Sequence, residues 1–70
     1  MVFSMINRKD IKKLLPKKRR KNLHILDISH RDGIHSVEMF NKDGIFRGFG
    51  KSRKESLHKA VKVLNNYYES

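Results

Sequence analysis

The stretch GIFRGFGKSRKESLHKAVKVL, Gly44 to Leu64, decides the fold. It reads as a short strand that runs through Gly48 and Gly50 into a helix with a well-marked start. Ser52 is a strong N-cap residue and Glu55, three positions on, completes a capping box, so the helix begins there. Beyond it Leu57, Ala60, Val61, Leu64 and Tyr68 recur at helical spacing and form one apolar stripe. Arg53 and Lys54 fall in the first turn, where the macrodipole disfavours cations. A phosphate brought to that point would meet free helix N–H groups and two cations together. The plainer alternative is that both residues are solvated surface cations.

Upstream, Asn41-Lys42-Asp43-Gly44 is a strong hairpin signal, because Asn, Asp and Gly tolerate positive φ. Ile34 to Asn41 alternates as a strand, with Val37 and Met39 on one face and Ile34, Glu38 and Phe40 on the other. Leu23 to Ser29 does the same, with Leu23, Ile25 and Asp27 opposite His24, Leu26 and Ile28. His30 to Gly33 connects these two strands, and Ile45 to Phe49 is the third. Phe46 and Phe49 lie three apart and point to opposite faces, leaving Phe49 the more exposed. Ser4 to Leu15 reads as a short helix with Asn7 as its cap, Asp10 in its first turn, and an apolar strip of Ile11, Leu14 and Leu15. Pro16 ends it. Lys17 to Lys21, KKRRK, is a run of like charges expected to form a loop or flexible link, and PKKRRK also matches a short nuclear import signal. Asn65 to Ser70 finishes the C-terminal helix, with Tyr67 or Tyr68 closing the edge of the core.

The expected architecture is therefore α+β. A three-stranded antiparallel sheet carries a short N-terminal helix and a longer C-terminal helix on one face. The chain reads as one domain, with residues 1–21 as basic helix and link and residues 22–70 as sheet plus helix. Seventy residues bury a modest core and leave little room for an enclosed active site. The absence of cysteine excludes disulfides and thiolate metal sites and suits an intracellular, cytoplasmic setting, or a nuclear one if the import match is used. No apolar run approaches membrane-spanning length, and MVFSMINRKD lacks the regions of a secretory signal, so no membrane partner is expected.

A net charge of +10 is large for so short a chain and points to a polyanionic partner, nucleic acid first. Nine of the 17 basic side chains lie within residues 1–21 against Asp10 alone. The N-terminal third thus carries most of the field, and the remainder is only mildly basic.

The junction Gly48-Phe49-Gly50-Lys51-Ser52-Arg53-Lys54, continued through Ala60 and Val61, resembles the double-stranded RNA-binding domain, whose pattern there is roughly G-x-G-x-S-K-K-x-A-K-x-x-A-A. The element order matches over nearly the whole chain, and the residues over its last third. The resemblance implies a helix N-terminus set over phosphates that flank the RNA major groove. It also implies a first-helix side chain and a loop between the first two strands, both reaching minor-groove 2′-hydroxyls. Carried onto this chain, the phosphate contacts are Ser52, Arg53 and Lys54, with Lys51 adjacent and Lys51 or His58 as a substitute for the family's third lysine. Asn7 or Arg8 is the first-helix contact, and His30 or His35 the loop contact, with Arg31 beside them. Leu57 stands where the family has its third lysine, the first helix lacks the usual glutamine or glutamate, and the loop lacks the family's proline. A second resemblance, to the integrase arm-binding and plant ethylene-response DNA-binding domains, would instead lay the sheet in a DNA major groove with Arg31, Lys42 and Arg47 as readers.

His24, His30, His35 and His58 show no metal-ligand spacing, and the carboxylates show no catalytic pairing, so neither a metal, a cofactor nor an enzymatic activity is expected. The expected function is a non-enzymatic module for double-stranded nucleic acid, RNA before DNA. Lys17, Lys18, Arg19, Arg20 and Lys21 add affinity without sequence information. The competing class is a small basic interaction or regulatory protein, of viral or other origin, docking on an acidic partner.

Overall fold

The computed structural model describes residues 2–5, 11 and 13–69. The chain is α+β. Its elements in order are β1 (Val2–Met5), α1 (Lys17–Arg20), β2 (His24–Ser29), β3 (His35–Asn41), β4 (Gly44–Gly50) and α2 (Arg53–Glu69). The expected β2-β3-β4 meander is present and antiparallel throughout. β1 adds a fourth strand outside β2, in the spatial order β1-β2-β3-β4. Ser4 and Met5 thus belong to a strand that pairs with Asp27 and Leu26, not to the start of a helix. The proposed cap Asn7, and Arg8 and Asp10, lie outside the described residues.

The alternation holds on the inner face. Ile25, Val37, Met39 and Phe46 are buried beneath Leu57, Ala60, Val61 and Leu64 of α2, and Ile11, Leu15 and Leu23 complete the core. Leu57, the departure from the basic pattern, is buried with the stripe. The other face carries exposed Ile45, Arg47 and Phe49. Phe46 is 5% and Phe49 50% exposed, as their spacing requires. Ile28 and Ser36 pair with each other and are buried too, so that face is only partly open.

The β3–β4 turn is a two-residue hairpin. Asn41 pairs with Gly44, Asn41 Oδ1 accepts the Asp43 N–H at 2.8 Å, and Gly44 takes φ 144°. At the other end of the sheet, Asp32 Oδ1 accepts the Ile34 N–H and sets the β2–β3 turn.

KKRRK is not a link. Lys17–Arg20 form one helical turn, started by Pro16 in the extended region and closed after Lys21 by Asn22 at φ 58°. The physical reason is docking. Arg19 Nη1 donates to Asn65 Oδ1 at 2.6 Å and lies 3.4 Å from Glu69 Oε1, and its guanidinium sits 5.8 Å from the Tyr68 ring centre. The carboxylate and ring offset the repulsion that the run alone would suffer.

The capping box forms with one change. Ser52 Oγ accepts the Glu55 N–H at 3.2 Å, but Glu55 Oε2 accepts from the Lys51 N–H rather than from that of Ser52. That bond, and secondarily the Lys59 ammonium at 3.1 Å, hold the Glu55 carboxyl below its ordinary value of 4.5. Ser52→Ala is expected to cost about 1 kcal/mol. The Glu55 contribution is present above its unfolded pKa and is lost as pH falls through the lowered folded value. Chemical denaturation of wild type and Glu55→Gln from neutral pH to below about pH 4.5 checks this. The wild-type advantage should vanish at the acid end, and a constant difference would overturn it.

Candidate nucleic-acid interface

Register sets two groups of basic residues at opposite ends of the molecule. His35 pairs with Gly50, so the β2–β3 loop and the start of α2 share one end. Asn41 pairs with Gly44 at the other, where α1 docks on Asn65 and Glu69 near the end of α2. The two ends are about 25 Å apart along α2, whose 17 residues each rise about 1.5 Å.

The loop end collects Arg31, Lys51, Ser52, Arg53 and Lys54, all exposed. Its seat is Gly48, against which α2 packs so closely that a Cβ would lie 2.3 Å from both Ala60 N and Ser56 O. Ser56 is wholly buried and its hydroxyl donates back to the Ser52 and Arg53 carbonyls, tightening the first turn. The helix N-terminus therefore projects from a rigid mount.

Arg53 is not a loose cation. Its Nε lies 3.5 Å from Asp27 Oδ2, and Asp27 Oδ1 is bonded to His35 Nε2. Asp27 sits on the inner face of β2, its side chain 11% exposed, and ties the strand, the β3 histidine and the helix start together. A carboxylate beside Arg53 eases the first-turn conflict that phosphate was expected to ease. The sequence offered one signal for this hub: an acidic residue at an inward position of an apolar strand in a basic chain.

The two loop histidines separate. His35 is half-buried, with Asp27 on one ring nitrogen and Ser29 Oγ 3.4 Å from the other. His30 is also half-buried, its Nε2 3.0 Å from Ser36 Oγ. His58 is exposed one turn beyond Lys54 on α2. Asn7 and Arg8, expected as first-helix contacts, lie outside the described residues.

At the hairpin end Lys17, Lys18 and Lys21 are exposed, while Arg19 and Arg20 are half-buried. Tyr68 crosses to the turn there. Its hydroxyl donates to Asp43 Oδ2 at 2.6 Å and accepts from Asn41 Nδ2 at 2.9 Å. The bond to Asp43 is the main cause that raises its pKa above 10.0, so the hydroxyl is neutral at ordinary pH. Tyr67 or Tyr68 was expected at the core edge, and the sequence carries no sign of this cluster. A partner 25 positions away leaves no local trace.

Arg31, Lys42 and Arg47 are spread over the length of the sheet. Arg31 is in the loop and Lys42 in the hairpin, separated by the length of β3, roughly 20 Å. Arg47 is clasped by Glu38 across the sheet, at 2.6 Å from Nη2 and 3.0 Å from Nε. Among the described residues no helix is long and apolar enough to cross a membrane. The chain matches no protein-family model, no curated protein and no solved structure.

Proposed function

We propose that the chain is a non-enzymatic module that binds double-stranded nucleic acid, duplex RNA in preference to DNA, through the loop end. The observation that carries this reading is the exposed set Lys51, Arg53 and Lys54 around a capped helix start mounted on Gly48. Phosphates set there interact with the positive end of α2 and with these cations at once. Asp27 holds Arg53 near the helix start, which lowers the entropy lost when the guanidinium meets a phosphate. The β2–β3 loop, with His30 and Arg31, lies at the same end and supplies the groove contact that favours RNA.

Lys17, Lys18 and Lys21 act from the far end of α2 as a sequence-blind electrostatic supplement. Substituting them should weaken every duplex alike and flatten the salt dependence by roughly 0.9 per lost contact on a B-form duplex. The reading places the protein inside cells, in the nucleus where PKKRRK serves as an import signal.

Sheet-face DNA binding is the second reading, favoured only by exposed Ile45, Arg47 and Phe49. It ranks lower because Glu38 already occupies Arg47.

Fluorescence anisotropy at near-physiological salt, against matched duplex RNA, duplex DNA and single-stranded RNA, tests the proposal. Duplex RNA should bind at least about tenfold more tightly than the single strand. Equal weak binding to all three would overturn it and turn the search to an acidic protein partner.

A further inference from the structure

The hairpin end holds an open cavity of about 550 Å³ that duplex binding at the loop end does not use. It is lined from three separate parts of the chain: Lys18, Lys21 and Asn22 around the end of α1, Asn41 and Lys42 in the β3–β4 turn, and Tyr68 of α2. Arg19 and Asp43 complete its wall, and both are already engaged, Arg19 with Asn65 and Glu69 and Asp43 with the Tyr68 hydroxyl.

The three lysines differ. Lys18, Lys21 and Lys42 are exposed, and none has a carboxylate within ion-pair distance among the described residues. A charge run keeps like charges apart by extending into solvent. Here the run is wound into a turn and docked, and a lysine from the β3–β4 hairpin is brought to the same cavity. That convergence raises the local potential, which a bound polyanion would lower. The volume falls within the range of small-molecule sites, roughly 300–1,000 Å³, and is too great for one inorganic phosphate. The remaining lining is an aromatic ring and two amide side chains, the kind of surface that receives a base and a sugar.

We infer that this cavity is a binding site for a nucleoside polyphosphate, with Lys18, Lys21 and Lys42 holding the phosphate chain and Tyr68, Asn22 and Asn41 receiving the nucleoside. The site is separate from the loop-end duplex contact, because it lies at the opposite end of α2, although Lys18 and Lys21 also belong to the electrostatic supplement proposed for duplexes. Tyr68 is set in place by Asn41 and Asp43, so its ring is positioned before the ligand arrives.

Isothermal titration with ATP at about 0.15 M salt, with tripolyphosphate as a second probe, tests the inference. ATP should bind saturably and at least about threefold more tightly than tripolyphosphate. Lys18→Gln/Lys21→Gln/Lys42→Gln should lose at least about tenfold in ATP affinity. Lys54→Gln/Lys59→Gln/Lys62→Gln removes the same charge from α2 and should change it by less than about twofold. All six positions are exposed, and circular dichroism checks that both variants fold. Amide shifts on ATP addition should concentrate in residues 17–22, 41–44 and 68. No saturable binding, equal losses in the two variants, or tripolyphosphate as tight as ATP would each overturn it. Arg53→Glu/Lys54→Glu should leave ATP binding intact, so failure of the duplex reading is separately visible.

Discussion

Replacing Gly48 with alanine is expected to cost about 3 kcal/mol or more, the largest loss at any of the four glycines. The added Cβ would meet Ala60 N and Ser56 O at 2.3 Å and Lys59 C at 2.9 Å. All three are backbone atoms of α2, so no side chain can rotate away, and the helix must lift from the sheet. Lifting it uncovers Val37, Met39 and Phe46 beneath Ala60 and Leu64. A chain of 70 residues has a total stability of roughly 3.5–10 kcal/mol. Gly48→Ala should therefore leave a large unfolded fraction at ordinary temperature. Gly33→Ala is the internal comparison. Gly33 takes φ 83° with nothing within 4 Å, so its substitution pays only for backbone conformation, about 1 kcal/mol. Urea midpoints of the two variants check this. A Gly48→Ala midpoint at or above that of Gly33→Ala would mean that α2 does not seat there.

Arg53→Glu/Lys54→Glu should lower duplex RNA affinity about 100-fold, each reversal both removing a phosphate contact and adding a repulsive charge. The loss should shrink as salt is raised, because the term is electrostatic. Arg53→Glu also sets a second carboxylate beside Asp27, which is largely buried, so the double variant can lose stability as well. Lys54→Glu alone avoids that difficulty: Lys54 is exposed and its substitution should leave the fold intact while costing about tenfold in affinity. Asp27→Asn removes a negative charge from the site but also loosens the mount of Arg53, so its two effects on affinity oppose each other and its change should be smaller than that of Lys54→Glu. The anisotropy titrations described above, repeated at two salt concentrations, measure all of these. Unchanged affinity in Lys54→Glu would sink the helix-start assignment.

Much of this molecule is written in short-range rules. Ser52 and Glu55 mark the start of α2 because capping is an interaction between residues three apart. Leu57, Ala60, Val61 and Leu64 mark its buried face because helical spacing alone sets which side chains share a side. Asn41 to Gly44 make the hairpin because their own side chains and φ preferences close the turn. The opposite exposures of Phe46 and Phe49 follow from the two-residue period of a strand.

Other features depend on partners far along the chain, and there the sequence is silent. Val2–Met5 is too short to show alternation, and it is a strand because β2 offers it an open edge. Lys17–Arg20 reads as a repelling run until Asn65 and Glu69, 46 and 50 positions away, give Arg19 something to hold. Arg53 looks like a free cation until Asp27, on the strand beneath, takes its Nε. The sequence by itself determined the β2-β3-β4 meander, the helix α2 after it and their inward faces, because backbone propensity and periodicity are local. Only the tertiary structure decided that two groups of cations lie at opposite ends of α2, that a carboxylate anchors one member, and that three lysines share a cavity, because electrostatic partners are chosen by proximity in space.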